Sequence, residues 1–96
     1  MWAGCPKKKE FSEAARIHRE TLEVRKRVLG PGHPDTLKSA SNLAAVLHDQ
    51  GERPEAARIH RETLGVRRRV LGPGHPDTVK SAHNLSVVLQ AAEADA

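Results

Sequence analysis

The sequence predicts an all-α fold, in which antiparallel helix-turn-helix repeats stack as a short α-solenoid of about four helices. Three observations predict it. The stretch Glu13 to Leu47 recurs, shifted by 42 residues, as Glu55 to Leu89, with 29 of 35 paired positions identical. Each copy carries two apolar patterns of helical period, separated by glycine and proline. No stretch shows the apolar/polar alternation of a half-buried strand. Near-identical tandem units meet near-identical neighbours, which is the condition for a stacked array.

The first helix is expected over residues 11–29. At 100° per residue, Phe11, Ala14, Ala15, Ile17, Leu22, Val24, Val28 and Leu29 share one half of the wheel. Ser12, Glu13, Arg16, Arg19, Glu20, Glu23, Lys26 and Arg27 take the other half, and Glu23 and Arg27 are spaced to pair. Gly30-Pro31-Gly32 then supplies a terminating glycine and a proline that cannot continue the helix. His33-Pro34-Asp35-Thr36 opens the second helix, 34–50: proline suits the first turn, aspartate the positive end of the dipole, and the histidine a capping or turn-packing role. Its stripe is Leu37, Ala40, Leu43, Ala44 and Leu47, and Gly51 ends it. The third helix, 54–71, and the fourth, 76–92, repeat the first two, the last with Val79, Ala82, Leu85, Ser86 and Leu89. Connections this short force antiparallel neighbours. Residues 1–9 read as a disordered basic tail, 10–92 as the repeat domain and 93–96 as a frayed end.

Composition narrows the function. The 96 residues contain one cysteine, one Trp, one Phe and no Tyr, and carry a net charge of +4. One cysteine excludes an internal disulfide framework and a Cys-rich zinc module. No apolar run is long enough to span a membrane, and the N-terminus has no apolar core of a signal peptide, so a cytoplasmic location is expected. Cys5 stands alone, and Ser39, Ser41, Ser81 and Ser86 have no base and acid at meaningful spacing, so no enzyme is expected. The prolines of Gly-Pro-Gly-His-Pro remove the N–H donors that a phosphate loop needs. His18 and His60 lie among apolar residues with no converging ligand, so no metal and no cofactor is expected.

The unit resembles the 42-residue tetratricopeptide variant of kinesin light chains and of nephrocystin-type proteins. The resemblance rests on Asn42-Leu43-Ala44, Gln50-Gly51, Glu55-Ala56-Ala57, Leu64, Val70-Leu71-Gly72 and His75-Pro76-Asp77-Thr78. It covers about residues 11–92 and implies a right-handed solenoid whose first-of-pair helices line a concave groove. The sequence departs from the pattern at Phe11/Pro54, where an aromatic is usual, at His18 and His60, where a tyrosine-like residue is, and at Ala44/Ser86. In this register the chain holds one full helix pair flanked by two half-units. Val79, Leu85, Val88 and Leu89 are then expected to lack a covering helix, as in a piece of a longer array or a chain that self-associates through its ends.

The candidate peptide-binding groove is the surface opposite the stripes: Lys38, Ser41, Asn42, Ala45, His48 and Asp49, with Lys80, His83, Asn84, Val87 and Gln90 in the next unit. The resemblance implies that the repeated asparagine clamps a bound peptide's backbone amide, which its paired donor and acceptor suit. Lys38 and Lys80 favour an acidic partner. The expected function is therefore a protein–protein interaction scaffold. The alternatives are a basic surface for RNA or anionic membrane, or a structural spacer that self-associates. Nucleic acid is disfavoured because Arg67-Arg68-Arg69 has acidic residues interleaved nearby and no aromatic to stack on bases. Arg25 and Arg67 fall on the apolar half of the wheel and are expected to reach an acid, Asp35 or Asp77, across the turn.

Overall fold

The computed structural model describes residues 6–95. They form four helices, α1 (Pro6–Leu29), α2 (Pro34–Asp49), α3 (Arg53–Leu71) and α4 (Pro76–Asp95), joined by tight turns. Each helix packs on its neighbour in sequence: α1 on α2, α2 on α3, α3 on α4. The result is a helical repeat stack measuring 51 × 33 × 16 Å, about as thin as two helices with their side chains. A stack this thin has no deep centre to fill, which is why aliphatic side chains suffice.

Two helix ends differ from the expected ones by more than one residue. α1 starts at Pro6, so Lys7, Lys8 and Lys9, expected in a disordered tail, continue the helix. Lysine is a good helix former, and Pro6 sits where a missing N–H costs least. α4 runs on to Asp95 through an alanine-rich stretch of high helix propensity, past the expected fraying point. Cys5 and the rest of residues 1–5, with Ala96, lie outside the described residues.

The turns have one chemistry used twice. Gly30 and Gly72 adopt φ of +96° and +92°, the left-handed region that a Cβ disfavours, and each donates its N–H back to the carbonyl of Lys26 or Arg68 at 3.1 Å. The Nδ1 atoms of His33 and His75 accept the N–H of Asp35 and Asp77, each at 3.1 Å. These histidines are the N-caps, with imidazole nitrogen in the role usually taken by a Ser or Asp oxygen.

A clasp then ties the helices across each turn. Arg25 Nη1 donates to Ser39 Oγ at 2.7 Å and to the Asp35 carbonyl at 3.2 Å, and Thr36 Oγ1 donates back to the Arg25 carbonyl at 3.2 Å. Arg67, Ser81, Asp77 and Thr78 repeat it at 2.7, 3.4 and 3.2 Å. The expected ion pair with Asp35 or Asp77 is corrected here: the guanidinium meets those residues at the backbone carbonyl, and its close partner is a buried serine. A serine one helical turn after the aspartate lies beneath the arginine, while the aspartate side chain, in the first turn, stays exposed. Glu23 pairs with Lys26 at 3.9 Å and not with Arg27, an exposed i,i+3 contact worth little.

Burial follows the stripes unevenly. Leu37, Ala40, Leu43, Ala44 and Leu47 of α2 are all buried, and Ala44, Leu47 and Ala56 expose nothing. Each fully buried leucine contributes about 1.5–3 kcal/mol, so α2, covered on two flanks, is well anchored. The terminal helices are less complete. On α1 the predicted apolar half is wider than one neighbour can cover, and Ile17, Val24, Val28 and Leu29 stay exposed. On α4 the expectation of an uncovered face needs correcting residue by residue: Val79 is exposed, Leu85 and Leu89 are half-buried, and Val88 is buried against the core. Val88 lies on the flank of α4 that already meets α3. Among the described residues no helix is long and apolar enough to cross a membrane.

Two consequences can be measured. Gly65 lies mid-helix in α3 where the first copy has Glu23, and a Cβ there would meet nothing within 4 Å. Gly65→Ala should therefore raise the unfolding free energy by about 0.5–1 kcal/mol in urea titration. Ser81 is fully buried beneath Arg67; Ser81→Ala should lower it by about 1–2 kcal/mol, the range for a hydrogen bond to a partly screened charge.

Candidate functional site

A cleft of about 210 Å³ opens between α2 and α4 and is closed at its base by α3. It exists because α3 packs against both even helices and holds them apart. From α2 it is lined by Ser41, Ala45, His48 and Asp49, from α4 by His83, Asn84, Val87 and Val88, and from α3 by His60. Seven of the eleven groove candidates thus share one cleft.

Lys38, Asn42, Lys80 and Gln90 do not line it. The reason is geometric. A residue on an even helix faces either the next unit or the previous one, and this cleft takes the forward flank of α2 and the backward flank of α4. Positions 41/83 and 45/87 lie centrally and line it from both sides. His48 contributes where Gln90 does not, and Asn84 where Asn42 does not. Asn84 is accordingly half-buried and Asn42 exposed.

His60 is the wall residue that periodicity assigned only to the edge of the core. It is 3% exposed. Its presence among apolar residues was visible in the sequence, but the face it meets was not. Burial pushes its imidazole below the ordinary value of 6.5, and the positive charge of His48 and of Arg67 adds to that push. Ser41 Oγ, His48 Nδ1 and His60 Nδ1 are all shielded from solvent and have no hydrogen-bond partner within the protein. Three polar atoms on one cleft are therefore left with bonding capacity, each orphan costing about 1–3 kcal/mol until something satisfies it. Three histidines line this cleft, yet among the described residues no group of His, Cys, Asp or Glu is arranged to hold a metal ion.

A larger cleft, about 370 Å³, lies on the opposite face between α1 and α3, floored by Leu37, Ala40 and Leu43 of α2. On its rim Arg58 donates to Glu55 and Glu62 at 3.1 Å and holds the Glu55 carboxyl below the usual carboxylate range. Of the run Arg67-Arg68-Arg69, Arg67 is committed to the turn clasp, and only Arg68 and Arg69 are exposed.

The family model of the tetratricopeptide repeat matches residues 7–35 and 36–77, the second match spanning one full 42-residue period from α2 through the turn that opens α4. No curated protein sequence matches the chain.

The depressed titration of His60 links pH to stability. The unfolded chain takes up a proton near pH 6.5 that the folded chain takes up only at lower pH, so stability is fully present above 6.5 and is lost as pH falls below it. Thermal melts between pH 8 and pH 5 should show this loss, and His60→Gln, which cannot titrate, should flatten the slope; an unchanged slope would count against the buried neutral imidazole.

Proposed function

Because the chain belongs to the tetratricopeptide repeat family, we propose that it holds a peptide segment of another protein in the cleft between α2 and α4. Repeats of this family mediate protein–protein interaction, and the scaffold reading is non-catalytic: it needs shape and a few polar clamps. The observation that carries the assignment to this cleft is the trio of unpartnered polar atoms, Ser41 Oγ, His48 Nδ1 and His60 Nδ1, beside the half-buried Asn84 amide. An extended peptide supplies alternating N–H and C=O groups that such a surface can bond. Ala45, Val87 and Val88 offer apolar contact between them.

The partner segment is proposed to be acidic toward one end. Lys38 and Lys80 lie one helical turn before the cleft residues on α2 and α4. The 42-residue period with its Leu-Gly-Pro-Gly-His-Pro-Asp-Thr junction supports assignment to the kinesin light chain-like type within the family, and a cytoplasmic site of action belongs to the same proposal.

Peptides selected from a random display library on the purified chain provide the test. Acidic sequences should be enriched. Calorimetry with a selected peptide should show Asn84→Ala weakening binding about tenfold, the loss of roughly 1.4 kcal/mol, while Asn42→Ala changes it less than about twofold and helicity by circular dichroism is unchanged. Equal affinity for wild type and Asn84→Ala would refute the cleft as the site.

A further inference from the structure

The internal repeat makes one interface of this molecule a template for another. A shift of 42 residues carries α1 onto α3 and α2 onto α4. The α1–α2 and α3–α4 contacts are therefore copies of each other, and both are made. The α2–α3 contact also has a copy in prospect, α4 against a helix of α1 sequence, and no helix among the described residues makes it.

The exposures trace both halves of that missing contact. On α2 the stripe Leu37, Ala40, Ala44 and Leu47 is buried; its counterparts on α4 are Val79, Ala82 and Ser86, all exposed, and Leu89, half-buried. Leu37 is 6% exposed and Val79 is 56%. On α3, Ile59 is 6% exposed and His60 is buried; on α1, Ile17 is 51% exposed and His18 half-buried. The open flank of α4 and the open flank of α1 thus carry, nearly residue for residue, the two surfaces that α2 and α3 already bury against each other.

We propose that a second copy of this chain docks head to tail, its α1 packing on α4 as α3 packs on α2. The occupant is a copy because the open flanks match each other's sequence and register. The contact is heterologous, so it does not close on itself, and each docked copy presents a fresh α4 flank for the next. Docking would also build a second cleft like that between α2 and α4, with His18 of the incoming copy in the place of His60.

Sedimentation velocity on the full chain over a range of concentrations tests this. The weight-average mass should climb from the 10.5 kDa monomer through the dimer and beyond. Ile17→Lys blocks only the α1 flank and Ser86→Lys only the α4 flank; both sites are exposed in the single chain, and circular dichroism should show full helicity. Each variant alone should stay monomeric. Mixed one to one, they should form a dimer and stop there, because each supplies the flank that the other lacks. A wild-type chain that stays monomeric at millimolar concentration would overturn the proposal. So would a single variant that still dimerises alone, since that marks a symmetric interface elsewhere. Peptide binding in the α2–α4 cleft needs no second copy, so either result leaves the proposed function to its own test.

Discussion

The interface between α2 and α3, the two helices packed on both sides, organises the rest of the molecule. Ala44 and Ala56 expose no surface, and Leu47 between the helices exposes none either. Small side chains let the two backbones approach, and interaxial distance in helix packing is set by the side chains at the contact. With α2 and α3 held close, α1 lies on the free flank of α2 and α4 on the free flank of α3. Zigzag stacking then leaves one cleft between the odd helices and one between the even helices. The position of both grooves is a consequence of a contact in neither.

The turns set the angles within this scheme. Glycine at positive φ ends the helix, a histidine cap starts the next, and an arginine from the first helix reaches a buried serine on the second. Because the arginine also bonds a carbonyl and its own carbonyl accepts from a threonine, the two helices are joined at three points across the turn. The junction is polar, so its hydrogen-bond geometry specifies direction in a way that an apolar contact does not. Its second occurrence, 42 residues later, is what turns a helix pair into a repeat.

Three buried polar atoms without partners in the protein, Ser41 Oγ, His48 Nδ1 and His60 Nδ1, belong to residues that wall the even-helix cleft. The opposite cleft is larger, and its Arg58 is committed to Glu55 and Glu62.

Much of this was determined by sequence alone. The 42-residue shift and the two apolar stripes settle the number of helices, and the Gly-Pro-Gly-His-Pro-Asp-Thr run settles where they break, because backbone rules at glycine and proline are local. All five stripe residues of α2 are buried as periodicity requires. Tertiary structure decided the rest. Period cannot say which flank of an amphipathic helix finds a neighbour, so Val88 is buried while Val79 is not, and Asn84 enters the cleft while Asn42 faces water. Nor can it say that Arg25 meets the carbonyl of Asp35 and the hydroxyl of Ser39, since hydrogen-bond partners across a turn depend on the crossing angle of two packed helices. The equivalence of repeats is a property of sequence; the inequality of their surroundings belongs to the stack.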